Sequence, residues 1–108
     1  MIYTSKINTE NFDTFLNNND ISLIYIKASW CGPCKQLSPI VDEIGMETGS
    51  EITIAKIDAD EEMDFVKSLN VRNIPTLLFY QKGDLKDRSV GLKSKKDIYK
   101  IIEGLSNN

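Results

Sequence analysis

At 108 residues, with 41% apolar and 27% charged side chains and a net charge of −3, the chain suits one soluble domain over residues 1–108 with a core of its own. The negative balance argues against a nucleic-acid grip, which needs a basic surface, and no stretch approaches the length of a membrane span. Residues 1–20 hold Lys6, Glu10, Asp13, Asp20 and five asparagines, so a secretory leader is not expected and a reducing, cytoplasmic setting is.

Residues 2–7 predict a short edge strand with weak alternation. Asn8 or Thr9 can cap a first helix whose apolar face is Phe12, Phe15 and Leu16, and Asn17 to Asp20 stop it. Residues 21–28 read as a central strand, with Tyr25 and Lys27 on one face and Ile24, Ile26 and Ala28 on the other. A helix over about 31–48 follows, because Leu37, Ile40, Val41 and Ile44 recur at i, i+3, i+4, i+7. Pro39 lies inside it, where a kink is expected, and Gly49 ends it.

A second strand is predicted over 52–58, with Ile52, Ile54, Lys56 and Asp58 on one face. Asp60, Glu61 and Glu62 read as the acidic opening of a helix that buries Phe65, Val66 and Leu69. The same acids lack the glycine and the glutamate spacing of a calcium loop, so no metal is implied. Residues 76–81 and 85–91 form a hairpin around Lys82, Gly83 and Asp84. Ser94-Lys95-Lys96-Asp97 resembles a capping box ahead of a helix striped by Ile98, Ile101, Ile102 and Leu105. Lys93, Lys95 and Lys96 read as a solvated helix start rather than a basic patch. This order predicts an α/β fold: a mixed sheet of about five strands, with about four helices on its two faces.

The chemistry is concentrated at the only two cysteines, Cys31 and Cys34. Zinc would need further ligands from another chain or from carboxylates, since the chain has no histidine and no third cysteine. A structural disulfide across so short a loop would remove little chain entropy, and inert thiols leave the surrounding Gly32, Pro33 and Lys35 unexplained. Reversible dithiol–disulfide chemistry is favoured, because a strand running into a helix puts Cys31 at the helix N-terminus. There, orphan N–H groups, the dipole and Lys35 favour a thiolate. Cys34, one turn inward, is placed to resolve a mixed disulfide.

Trp30-Cys31-Gly32-Pro33-Cys34-Lys35 resembles the active-site signature of the thioredoxin family, and Ile74-Pro75-Thr76 resembles its second hallmark. The likeness extends over nearly the whole chain, and Gly32-Pro33 fits thioredoxins better than disulfide isomerases or glutaredoxins. It implies the thioredoxin-like fold and reduction of protein disulfides, with Cys31 attacking and Cys34 resolving. It implies no cofactor on this chain, a monomer, disulfide-bearing client proteins, and a flavoprotein thioredoxin reductase as electron source. It further implies a cis bond before Pro75, and a client groove at Ala59, Asn73, Ile74, Pro75 and Gly91, although Gly91 also reads as a plain strand-end glycine. Trp30, next to Cys31, is expected near the surface, with a partly buried packing role as the alternative.

Two positions depart from the family pattern. Where thioredoxins usually carry a buried aspartate and a tryptophan, this chain has Tyr25 and Lys27, while Lys56 matches the lysine that accompanies the aspartate. A tyrosine is protonated near neutral pH and cannot accept a proton there, although it can donate a hydrogen bond, for instance to a sulfur. A binding module built on Trp30 and Pro75, or a stoichiometric redox sensor, are the competing functions.

Overall fold

A computed structural model of the chain describes residues 4–7, 10–49 and 51–106. The elements run β1 (Thr4–Lys6), α1 (Phe12–Asn17), β2 (Ile21–Lys27), α2 (Gly32–Thr48), β3 (Thr53–Asp58), α3 (Met63–Ser68), β4 (Thr76–Gln81), β5 (Asp84–Val90) and α4 (Lys95–Ser106). The strands form one sheet in the order β1-β3-β2-β4-β5. β1 and β2 each pair with β3 in parallel, while β4 runs antiparallel to both β2 and β5.

β2 is the central strand, and its sequence explains why. Ile21, Leu23 and Tyr25 feed one apolar layer with Leu37, Val41 and Ile44 of α2 and Ile98, Ile102 and Leu105 of α4. Ile24 and Ile26 feed the opposite layer with Phe12 and Leu16 of α1 and Val66 of α3. A strand buried on both faces needs apolar residues at odd and even positions alike, and residues 21–26 supply them apart from the small Ser22.

Several boundaries differ from the sequence reading. Ile7 follows β1 and donates its N–H to the Lys56 carbonyl at 3.2 Å, while residues 2 and 3 and the proposed caps Asn8 and Thr9 lie outside the described residues. α1 starts from Asn11. Of the acids 60–62, only Glu62 reaches α3, as its N-cap, with its carbonyl accepting the Val66 N–H at 2.9 Å; Asp60 and Glu61 lie in a turn ahead of it. Asp58 accepts the Asp60 N–H on its Oδ1 at 2.8 Å and the Glu61 and Glu62 N–H groups on its carbonyl, so the chain turns first and the helix begins at Met63. A local side-chain turn delays the helix by a few residues, and acids at the N-cap and in the first turn, Glu62 and Asp64, still suit its dipole.

In the hairpin, Lys82 and Gly83 both take positive φ, 51° and 87°. Such a two-residue turn matches strand twist, so Asp84 joins β5 instead of the turn and Gly91 falls beyond its end. α4 begins as the pattern predicts, with Ser94 Oγ accepting the Asp97 N–H at 3.1 Å. Lys95 is not a free surface cation. It reaches Glu47 at 2.7 Å and Glu43 at 3.3 Å, tying α4 to α2. Pro39 lies within α2, where its missing N–H removes one helical bond.

Candidate active site

The cysteines sit where β2 gives way to α2. Cys31 is the N-cap, with extended backbone, and its sulfur accepts the Cys34 N–H at 3.2 Å. Pro33 occupies the first turn, where an N–H would have no helical partner in any case. The two sulfurs are joined as a disulfide, with Cα atoms 5.4 Å apart. Gly32, Pro33 and Lys35 are exposed on the outer side of the turn. The sulfurs are not: Cys31 is 3% exposed and Cys34 4%. Access therefore does not distinguish them in the disulfide form; the helix-end geometry does.

Ala28 completes the buried cluster around the pair, with Ala59 and Ile74 packed against it. The Ile74–Pro75 peptide bond is cis, as the resemblance implied. The Pro75 carbonyl accepts the Gly91 N–H at 2.8 Å, and Gly91 has a φ of 88°, which a side chain would strain. The Asn73 carbonyl accepts the Thr76 hydroxyl at 2.6 Å, and the Asn73 side chain is exposed. Ala59 and Ile74 are thus beside the cysteines, whereas Gly91 braces the proline loop from behind.

Trp30 is 66% exposed and fastened at one edge. Its Nε1 donates to Asp60 Oδ1 at 2.8 Å, and the Ser29 hydroxyl donates to Asp60 Oδ2 at 3.1 Å. The indole N–H is the main reason the Asp60 carboxyl is held below the usual carboxylate range. Between Trp30 and Ile74 runs a groove of about 290 Å³, floored by Ala59, Met63, Val66 and Val71 and edged by Lys67 and Arg72.

Beneath the site, the Tyr25 hydroxyl does not meet a sulfur. It donates to the Cys34 carbonyl at 3.2 Å and lies 2.8 Å from Ser38 Oγ. Burial pushes the phenol up from its ordinary value, with Asp42 adding to the rise and Ser38 opposing it. Lys56 lies opposite Tyr25 in the sheet, but its ammonium is held by Asp42 at 3.0 Å. Lys27 is half-buried opposite Asp58, and its carbonyl accepts the Ala59 N–H at 2.8 Å. Ser38, Asp42 and Asp60 were missed from sequence. Each acts across 13 or more residues of chain, where no local pattern signals a contact. Among the described residues no group of three or more histidine, cysteine or acidic side chains could hold a metal ion, and no helix is long and apolar enough to cross a membrane.

A vicinal cysteine pair at a helix N-terminus, facing a cis-proline loop, defines a dithiol–disulfide exchange centre. Comparison with known proteins agrees. The Thioredoxin family model matches residues 3–104. A thioredoxin from Mycobacterium bovis is 33% identical over 106 residues, covering 97% of this chain and 91% of the relative. A bifunctional thioredoxin reductase/thioredoxin from Mycobacterium leprae is 33% identical over 99 residues, covering 88% of this chain and 22% of that longer protein. Among solved structures, a point variant of thioredoxin from Halobacterium salinarum superposes with a TM-score of 0.87 at 29% identity, covering 94% of this chain and 89% of the other. The chain belongs to the thioredoxin family. Its activity is that of a thiol–disulfide oxidoreductase that reduces protein disulfides.

Proposed function

We propose that Cys31 is the attacking thiol and Cys34 the resolving one. The observation that carries this is the Cys34 N–H aimed at Cys31 Sγ from the first turn of α2. An N–H donor and a helix N-terminus both stabilise negative charge on the outer sulfur, and Cys34 has no such position. Cys31 thiolate attacks one sulfur of a client disulfide and releases the other as a thiolate. Cys34 then attacks Cys31 Sγ and frees the client with both cysteines reduced, the electron pair having come from the Cys31–Cys34 dithiol.

The client lies along the groove between Trp30 and Ile74. Among the described residues the backbone N–H and C=O of Ile74 make no hydrogen bond, whereas the carbonyls of Asn73 and Pro75 are taken. An extended client segment can pair with Ile74 as an added strand. Gly32, Pro33 and Lys35 form the outer rim. A thioredoxin reductase, a flavoprotein, restores the dithiol; the fusion named for the Mycobacterium leprae relative supports such a pairing. The protein works as a single-domain monomer in the cytoplasm, where the pair is kept reducible.

Reduction of insulin disulfides by substoichiometric protein, with a thioredoxin reductase and its electron donor supplying turnover, tests the reading. Many turnovers per chain are expected. A single stoichiometric round would point to a redox sensor, and no reduction at all to a binding module.

A further inference from the structure

Tyr25 is the bulkiest of the side chains that are wholly out of solvent, yet it ends in a hydroxyl that the apolar layer around it does not require. A phenol has one proton to give. With that proton directed at the Cys34 carbonyl, 3.2 Å away, the Ser38 hydroxyl at 2.8 Å is the donor into the phenol oxygen. Cys34 and Ser38 stand four residues apart, so one side chain from β2 grips two successive turns of α2. The helical pattern already offers the Cys34 carbonyl the N–H of residue 38, so the phenol contact is an additional restraint and not a rescue of an orphaned acceptor.

We propose that Tyr25 is a positioning residue for the resolving thiol: its hydroxyl, given to the Cys34 carbonyl and braced by Ser38, fixes the main chain that aims Cys34 Sγ at Cys31 Sγ. This rests on the reading of Cys34 as the resolving thiol. In the resolving step the Cys34 sulfur, having lost its proton to water, bonds to Cys31 Sγ. The bond between Cys31 and the client sulfur breaks, and the client sulfur leaves with the electron pair and takes a proton from water. Tyr25 takes no proton, because a phenol is already protonated at neutral pH and burial only pushes its titration higher. The charge that acts on it, Asp42 on α2, is itself paired with Lys56, its neighbour across the sheet on β3. Its contribution is aim. Displacement at sulfur needs the attacking atom close and nearly in line, and a loosened anchor lowers the effective concentration of the thiol.

The two steps separate with dithiobis(nitrobenzoate) as the client disulfide. Attack by Cys31 releases one coloured thiolate in a second-order phase, and resolution by Cys34 releases the second in a first-order phase. In stopped flow with the reduced full chain, Tyr25→Phe should slow the second phase by about three- to tenfold and leave the first within about twofold. Ser38→Ala should slow the second phase less, since the phenol keeps its contact with Cys34 but loses its brace. Phenylalanine keeps the ring volume, and Ser38 is a half-buried helix residue, so each variant checks the other's fold. A second phase within twofold of the parent in Tyr25→Phe, or both phases slowed alike, overturns the proposal. If mass mapping of the trapped mixed disulfide puts the adduct on Cys34, the assignment of the two thiols fails instead, whatever the rates.

Discussion

Replacing Tyr25 with aspartate places two penalties at one position. The side chain is 0% exposed, in the layer that holds Leu37, Val41, Leu77 and Ile98. Truncating a buried aromatic costs about 3–5 kcal/mol through lost burial and the cavity left behind. A carboxylate in that cavity adds a desolvation cost, which Lys56 can offset only by leaving Asp42. The sum is roughly 4–7 kcal/mol at neutral pH, a large part of the 5–15 kcal/mol or so that holds a domain together. Tyr25→Ala carries the cavity share alone. Burial raises the new aspartate's folded pKa above its unfolded value. Relative to Tyr25→Ala, the aspartate variant therefore recovers as pH falls through that raised value and loses stability as pH rises through it. Urea denaturation of both variants and the parent, at neutral and mildly acid pH, measures each share. An aspartate variant as stable as the parent at neutral pH, or one that gains nothing on acidification, refutes this account of the core.

Other outcomes follow from the same geometry. In the fully reduced protein at neutral pH, a limiting dose of iodoacetamide should label Cys31 well ahead of Cys34, because only Cys31 has the helix end; preferential label on Cys34 reverses their roles. Asp60→Ala should make Trp30 fluorescence more open to acrylamide quenching and raise KM for a disulfide client with kcat little changed. Because the Asp60 carboxyl is held below its ordinary range, the parent should keep its tether on mild acidification and lose it only as pH falls through the depressed value; release just below neutral pH would contradict the bond. Tyr99, partly desolvated and bonded to Glu47, has its hydroxyl pushed up to about 12. The alkaline absorbance titration of the parent minus that of Tyr99→Phe should show it there, and a midpoint at the ordinary tyrosine value would mean that the contact with Glu47 is not kept in solution.

What could be read from the sequence was whatever repeats locally. The 3.6-residue recurrence of Leu37, Val41 and Ile44 put Cys31 at a helix start, and residues 94–97 marked the last helix, because caps and amphipathic faces are written within a few neighbouring residues. The support of the site was not readable in this way. Nothing near Asp60 says that its carboxylate will take the indole of Trp30, and its acidic neighbours suggested a helix start instead. Tyr25 was recognisable as a departure, but the target of its hydroxyl depended on which turn of α2 lies over β2, a matter of packing across two elements. Likewise, Lys56 could be matched to a family position while its partner Asp42, on another element, stayed invisible.

The two rims of the sheet bear on how crowded this protein can be in solution. On one rim lies β1, of which the described part is Thr4–Lys6. On the other, β5 turns Asp84, Lys86, Asp87 and Arg88 to solvent, and the ladder slips register between Phe79 and Tyr80, which bends the strand. Backbone groups on a bent, charge-studded rim are poor bait for a neighbour's strand, so sheet-to-sheet pairing is resisted along β5. Exposed apolar surface such as Trp30 and Met63 can then stay uncovered around the disulfide without β5 offering a neighbour an open strand to pair with.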